Sequence, residues 1–318
     1  MSEALHSYLA AWLFVLGLSL GSMANLMVHT LTGGRWGEPV RPAWAAASRL
    51  MPFVALAALP ILLGAASIFP WAHDPGRWLN LPFFEVRSVA YLVVFSALAW
   101  LAPVKPRLAA PGLVIYTLTI SLASFDWIVS LMPHWYSSGF GLVVGTGQML
   151  AGAAFGVAVA ARAWRDRDDE GARLRFNDLG NLLLMYVLTW AYLAYTQYLV
   201  IWSENLPHEI RWYVPRTQTG WAALGFFLIA FHFFVPLLIL LSRTAKRAPR
   251  IAGGIAAALL VAHLADVYWL VIPSVRPDGI SVRWSDPVML AILLAGWWLL
   301  WRRSMRATAA EPEALAHA

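Results

Sequence analysis

The chain has 318 residues, of which 60% are hydrophobic and only 13% charged, with a net charge of +6 and no cysteine. A soluble domain carries about 25% charged residues, and once the polar connections are set aside no stretch remains that could form one. The lack of cysteine excludes disulfides, thiolate metal sites and cysteine-ligated iron–sulfur clusters within the chain.

Nine long apolar stretches follow one another, at residues 8–30, 46–69, 85–104, 110–131, 140–163, 178–202, 219–243, 250–272 and 284–303. A hydrocarbon core of roughly 30 Å takes about 20 helical residues to cross, and almost every stretch is that long. Backbone groups in lipid must pair internally, so the spans are expected to be helices. Alternating strands of about ten residues, the signature of a barrel, are absent. The expected fold is therefore an all-α integral membrane protein of about nine transmembrane helices: one membrane domain over 1–303 and a short polar tail over 304–318.

Details of the spans follow in chain order. Gly17, Gly21, Ser22 and Ala24 on the first allow close helix contact. Gly33 and Gly34 read as a turn after it. Pro52 and Pro60 are expected to kink the second span and free carbonyls that other helices must satisfy. Glu85 and Arg87 read as interface anchors at the start of the third. The fourth span ends Asp126-Trp-Ile-Val-Ser-Leu-Met-Pro133 and the eighth ends Asp266-Val-Tyr-Trp-Leu-Val-Ile-Pro273, so each places an acid seven residues before a proline. Gly21-Ser22-Met23 on the first span is echoed by Gly147-Gln148-Met149 on the fifth. Partners four spans apart point the same way, which reads as a parallel repeat of four-helix units. The expected architecture is two four-helix bundles, 8–131 and 140–272, with an extra helix at 284–303. Tryptophans near span ends (Trp12, Trp71, Trp127, Trp135, Trp202, Trp212, Trp221, Trp269 and Trp284) read as an aromatic belt.

If the first helix starts outside, 17 of the 23 Lys and Arg residues fall on one side of the membrane and 6 on the other. The positive-inside rule then puts the N-terminus outside and the C-terminus in the cytoplasm. The positive charge reflects orientation and attraction to anionic lipid, and requires no nucleic-acid partner.

An ionisable side chain within a span costs roughly 2.5–3.5 kcal/mol on insertion scales, so each needs a structural partner or a role. On the orientation above, Asp126, Gln148, Gln197, Asp266 and Asp286 lie toward the outer face with Tyr195 and Tyr268. His232 and His263 lie near mid-membrane, and Asn25, His29, Asp178 and Asn181 toward the inner face. Groups at stepped depths suit a proton relay, and the candidates for such a pathway are Asp126, His134, Gln148, Tyr195, Gln197, His232, His263 and Asp266, with His29 and Asp178 on the inner side. Structural readings stand beside these. Asp126 could brace against His134 or an arginine. His263 and Asp266, one turn apart on one face, form either a locked pair or a proton site. His232, set among phenylalanines, could simply pack, and Asp178 could be a helix N-cap. His232 and His263 also have matching depths for a b-haem, but the first bundle offers only His29 near its inner end. No metal site, nucleotide-binding loop or metalloprotease helix is present.

Several long segments carry a resemblance: Leu20-Gly-Ser-Met-Ala24 with His29-Thr-Leu-Thr-Gly-Gly-Arg-Trp-Gly37, Trp78-Leu-Asn-Leu-Pro-Phe-Phe-Glu-Val-Arg87, residues 124–137, 179–182 and 197–210, Phe231-His-Phe-Phe-Val-Pro236, residues 241–243, and residues 266–273. Together they resemble the ActF-type (NrfD-like) membrane subunit of bacterial alternative complex III, over nearly the whole chain. The resemblance implies a subunit with no redox centre of its own in a quinol:electron-acceptor oxidoreductase of the bacterial inner membrane. It implies two four-helix bundles and no covalently bound cofactor, with quinone or quinol and lipid as ligands. The implied partners are a sister NrfD-type subunit, an iron–sulfur protein and multihaem cytochrome c subunits. Two departures stand out. The family usually has ten spans with both ends inside, whereas this chain shows nine and begins outside; and the acid common in the family before Pro-His-Trp is Met132 here. A purely structural anchor and, less in keeping with the resemblance, an independent transporter are the other readings of the chain.

Overall fold

The computed structural model describes residues 2–101, 103, 105–167 and 169–316, the backbone alone being described for residue 2 and residues 308–316. Val104, the expected end of the third span, and the last two positions of the tail lie outside the described residues. The described residues hold nine helices long and apolar enough to cross a membrane: α1 (Glu3–Thr32), α2 (Arg41–Leu63), α3 (Leu81–Leu101), α4 (Pro106–Leu131), α5 (Phe140–Ala163), α6 (Glu170–Glu204), α7 (Trp221–Leu241), α8 (Pro249–Val275) and α9 (Ser285–Ala307). The chain is an all-α, multi-pass membrane protein.

The helices form two rings of four. α1 packs against α2 and α4, with α3 closing the first ring; α5 packs against α6 and α8, with α7 closing the second. The rings meet along α1 and α5, and each of these helices also touches the last helix of the other ring. α9 lies outside both, against α1 and α2. Burial follows this plan: 94% of the most apolar window of α1 is buried, against 11% for α9. The connections α2–α3, α4–α5, α6–α7 and α8–α9 make one rim of the molecule, called here the N-terminal rim, and the other four connections make the opposite rim.

The contact between the rings depends on glycine. A Cβ on Gly21 would overlap the backbone carbonyl of Gln148, and one on Gly152 would overlap the backbone of Gly21 and Ser22. The helices therefore touch backbone to backbone, as small residues permit in lipid. Polar side chains fasten the crossing. Asn25 Nδ2 donates to the carbonyls of Gly21 and Met149, both at 2.8 Å, and Trp44 Nε1 donates to the Gly152 carbonyl at 2.8 Å. Tyr186 on α6 donates to Asn25 Oδ1 at 3.0 Å.

α2 is broken as its prolines require. It runs as Arg41–Ser48, Met51–Leu56 and Leu59–Leu63, with Pro52 and Pro60 in the first turns of the later pieces. At the second break the Ala58 N–H turns to Ala55 O and the Ile61 N–H to Ala58 O, which leaves the carbonyls of Val54 and Ala57 without their helical donors. α1 supplies replacements one turn apart: Trp12 Nε1 donates to Val54 O at 2.9 Å and the Tyr8 hydroxyl to Ala57 O at 2.8 Å.

Three expectations are corrected. The tryptophans do not form a lipid-facing belt: Trp12, Trp71, Trp127, Trp135, Trp212 and Trp221 are buried, and Trp202 and Trp284 are exposed. Four of the buried indoles donate inward, Trp127 to Ser88, Trp135 to Glu209 O and Trp221 to Arg276 O as well as Trp12, so they close gaps between helices rather than anchor to headgroups. Asp178 is not a cap: α6 begins at Glu170, its N-cap is Asp169, which accepts from the Ala172 N–H at 2.9 Å, and Asp178 is an exposed mid-helix residue. The apolar pattern hides this start because the first turns of α6 are polar. The residues after Arg303 continue the last helix to Ala316, in keeping with their many strong helix formers, alanine above all.

Glu38, in the α1–α2 connection, bridges the rings at the opposite rim by pairing with Arg175 of α6 at 2.8 Å and Arg35 at 3.2 Å. The Arg175 hydrogen bond, helped by Arg35, holds its carboxyl below the usual glutamate range. The bridge therefore supports the fold above the unfolded-state value and loses that support as pH falls through the folded-state value. Glu38→Gln is expected to flatten the acid limb of a pH series of thermal melts in detergent. A second expectation concerns the crossing. Gly21→Ala forces the helices apart and lowers stability by about 1–3 kcal/mol, whereas Gly254→Ala, where nothing lies within 4 Å, leaves the melting temperature unchanged or slightly raised. Equal effects at the two positions would show that the crossing does not limit stability.

Candidate functional site

Two acids of the repeated pattern sit near the N-terminal rim, each on the last helix of its ring, in opposite chemical settings. Asp126 on α4 is buried and locked. Arg87 on α3 donates Nε to Asp126 Oδ2 and Nη2 to Oδ1, both at 2.8 Å, and the Tyr91 hydroxyl donates to Oδ2 at 3.0 Å. The guanidinium is held in turn by the Trp78 carbonyl at 2.9 Å and by the faces of Trp78 and Phe83, 4.4 and 4.2 Å from their centroids. Arg87 is thus not an interface anchor. It turns inward because a bidentate fork meets a carboxylate at matching depth on the antiparallel neighbour, while Glu85 stays exposed. The brace for Asp126 is this arginine and not His134, which stands exposed in the α4–α5 turn at φ 68°.

Asp266 on α8 has no lysine or arginine against it among the described residues; its ionisable neighbour is His263, one turn earlier, at 3.9 Å between Nδ1 and Oδ2. A buried cation on that side, Arg216 in the α6–α7 connection, is committed elsewhere. It donates to the carbonyls of Trp269, Leu270 and Trp212 and to Ser274, and stacks on Trp212 at 3.4 Å from the centroid. Full burial pushes its pKa well below the usual arginine value.

His263 and Asp266 face the seam between the rings. Bare backbone makes room for them: a Cβ on Gly17 would lie 3.4 Å from His263 Nε2, and one on Gly147 would lie 3.2 Å from His263 Cε1 and 3.6 Å from Asp266 Oδ2. A cavity of about 20 Å³ opens there, lined by Gln148, His263 and Asp266 with Leu13, Ile128, Val144, Val267 and Leu270. Roughly 10–15 Å³ on this measure accommodates one water, provided polar partners are present. Gln148 is held at one edge by the Tyr116 hydroxyl, which donates to its Oε1 at 2.9 Å.

Behind His263, toward the interior of the second ring, lies His232, with ring centroids 6.3 Å apart. His232 is fully buried and packs against Trp190, ring centroids 4.1 Å apart with the planes tilted by 54°. It sits on a π-helical turn, Leu228–Phe234, just before Pro236, and such turns gather at functional sites. Neither nitrogen of His232 or His263 finds a hydrogen-bond partner among the described residues. Buried imidazoles without partners are rare enough to require an explanation. Trp190 lies against the ring of His232, and the backbones of Gly17 and Gly147 flank that of His263.

Of the expected site residues, then, Gln148, His232, His263 and Asp266 come together. The others do not join them. Tyr195 is exposed on the outer surface of α6. Gln197 accepts from Ser137 and donates to Tyr213, each at 3.2 Å, near the N-terminal rim. His29 sits at 3.1 Å from the Gly34 carbonyl and packs edge-on against Trp36, bracing the α1–α2 turn, where Gly33 and Gly34 both have positive φ. Among the described residues no group of His, Asp and Glu is arranged to hold a metal. Sequence reasoning missed the pair of Arg276 with Asp286, at 2.8 Å and joined by Ser7, which ties α1, α8 and α9 together at the N-terminal rim. It also missed Arg87 as a partner, although an arginine two turns into one span and an acid near the end of the next were legible as groups of equal depth.

No protein-family model matches this chain, and no curated protein matches it. What the fold and the site define is a multi-pass helical membrane protein with unpartnered buried imidazoles and a carboxyl at the seam of two four-helix rings.

The two acids are expected to respond differently to substitution. Asp126→Asn or Arg87→Gln leaves one buried partner uncompensated and lowers stability by about 3–5 kcal/mol. The double change Arg87→Met with Asp126→Leu recovers most of it, read as melting temperature and yield of monodisperse protein in detergent. Asp266→Asn leaves both near wild type.

Proposed function

We propose that this chain is the ActF-type membrane subunit of a quinol-oxidising complex resembling bacterial alternative complex III, and that its own contribution is a proton path through Asp266, His263 and His232. Electron transfer itself falls to partners carrying iron–sulfur clusters and c-haems, with a sister NrfD-type subunit beside this one. The reading places the chain in a bacterial inner membrane with the N-terminal rim on the periplasmic side, as the charge count favours.

One observation supports the proton path above the rest. Of two acids in a repeated pattern, one is neutralised by a bidentate arginine, and the other has no lysine or arginine against it among the described residues but an imidazole at 3.9 Å and a cavity the size of one water. A carboxyl and an imidazole 3.9 Å apart beside a space for one water, with a second imidazole centred 6.3 Å from the first, are groups that can take up and release protons in turn. Asp266 and Gln148 lie nearer the periplasmic side on this orientation, and His232 deeper. The structural-anchor reading draws on Arg87–Asp126 and Arg276–Asp286, and the two readings divide the molecule between them: the locked pairs hold the fold and the seam moves protons. A transporter reading has less support, since the seam cavity takes nothing larger than water.

The test uses the native complex purified by a tag on this chain. A multihaem cytochrome and an iron–sulfur protein are expected to co-purify. Asp266→Asn and His263→Leu are expected to lower quinol-dependent acceptor reduction by about tenfold or more with subunit composition intact, whereas Asp126→Asn lowers the amount of assembled complex and not its specific turnover. Unchanged turnover in the Asp266 and His263 variants leaves only the anchor role, and purification as a lone, transport-competent polypeptide overturns the assignment altogether.

A further inference from the structure

The opposite rim carries a groove that the proton path does not use. It lies between the α5–α6 and α7–α8 connections, with a volume of about 760 Å³. Its lining includes Arg165, Arg167, Arg243, Arg247 and Arg250, and the carboxylate among its described lining residues is Asp166. That carboxylate neutralises little: its contact with Arg250 is 3.5 Å long and both side chains are largely exposed, the kind of ion pair that contributes about 0–1 kcal/mol. Arg247 Nε is buried without a hydrogen-bond partner among the described residues. Ala248 and Pro249 also line the groove. They begin the 27-residue helix containing α8, which has no side-chain cap, so the positive end of a long helix opens into the same space.

Converging guanidinium groups repel one another, and an anion with several acceptor oxygens relieves that repulsion through paired N–H···O bonds. Apolar surface selects among such anions. The helices that bring Arg243 and Arg250 to the groove expose Leu238, Leu241 and Ile251 within one or two turns of them, on the membrane-embedded stretch of α7 and α8. Charge above and exposed hydrocarbon below match a phosphate headgroup with its acyl chains. We infer that the groove binds the headgroup of an anionic phospholipid, and that its size and number of arginines suit a lipid with two phosphates, such as a diphosphatidylglycerol. The assignment is independent of the electron-transfer reading.

The test is lipid binding by the full chain, or by the complex if it co-purifies, followed by native mass spectrometry and by melting in nanodiscs of phosphatidylcholine with and without diphosphatidylglycerol. Wild-type protein is expected to retain the diphosphate lipid and to melt higher in its presence, with no effect of millimolar inorganic phosphate. Arg243 and Arg250 are exposed and Arg247 half-buried, and the melt in plain phosphatidylcholine checks that Arg243→Gln/Arg247→Gln/Arg250→Gln folds. That variant is expected to bind the lipid about a hundredfold more weakly, as about 1 kcal/mol for each basic residue lost implies. A charge-matched control on the last helix, Arg302→Gln/Arg303→Gln/Arg306→Gln, retains binding. Equal loss in the control reduces the effect to diffuse attraction and overturns the site. So does displacement of the lipid by inorganic phosphate alone, equal binding of phosphatidylcholine, or an acidic protein found seated on the groove in the lipid's place.

Discussion

At Gly21 and Gly152 the backbones of α1 and α5 meet with no side chain between them. In hydrocarbon there is no hydrophobic drive to bring helices together, so close backbone packing and interhelical hydrogen bonds must do it. The crossing supplies both, through the two glycines and through Asn25, Trp44 and Tyr186. Every other feature of the seam follows from that distance. With the helices this close, Gly17 and Gly147 become the walls of a narrow slot that fits one imidazole and one carboxyl and leaves a cavity of about 20 Å³. A wider crossing would flood the slot, and a side chain in place of either glycine would fill it.

The same constraint, that buried polar groups must be satisfied from within, explains the molecule's irregularities. α2 breaks at its prolines and α1 repairs the orphaned carbonyls with Trp12 and Tyr8. Arg87 gives up water for Asp126, two aromatic faces and a carbonyl. Arg216 gives up water for three carbonyls and a hydroxyl. Among the described residues the nitrogens of His232 and His263 find no such partner, and neither do the indole nitrogens of Trp71, Trp190, Trp212 and Trp269 or Arg276 Nε. His263 differs from the other unpartnered groups in that, with Asp266 and Gln148, it lines a space for one water.

The parts legible in the sequence were those set by a single physical property. Hydropathy located the nine spans, proline located the breaks in α2, and the spacing of His263 and Asp266 put them on one face. What escaped depends on facts that one helix does not contain. Whether Arg87 points to headgroups or to an acid is decided by α4. Whether Trp12 or Trp127 joins a belt or a core is decided by the carbonyl or hydroxyl facing it. The start of α6 escaped because its first turns are polar and project beyond the apolar stretch, and the π turn at His232 because nothing in its composition distinguishes it from an ordinary helix next to a proline. The repeated acid before a proline was visible as a pattern, but its two copies had diverged in partner, and only the packing separates them.

Charge is handled differently at the two ends. At the N-terminal rim the buried arginines are each bound to a carboxylate or to carbonyls inside the fold, and these bonds join α3 to α4, α8 to α9 and the α6–α7 connection to α8. At the opposite rim Arg165, Arg167, Arg243 and Arg250 of the groove are exposed and outnumber the carboxylate among its described lining residues. The first arrangement makes a rigid lid over the seam, since breaking any of its pairs strands a charge where water is scarce. The second adds little to internal stability but remains available to an external anion. A protein that must keep its seam fixed while sitting in an anionic leaflet needs both. The arrangement places rigidity next to Asp266 and affinity for the bilayer at the far ends of α5, α6, α7 and α8, the helices that make up its ring.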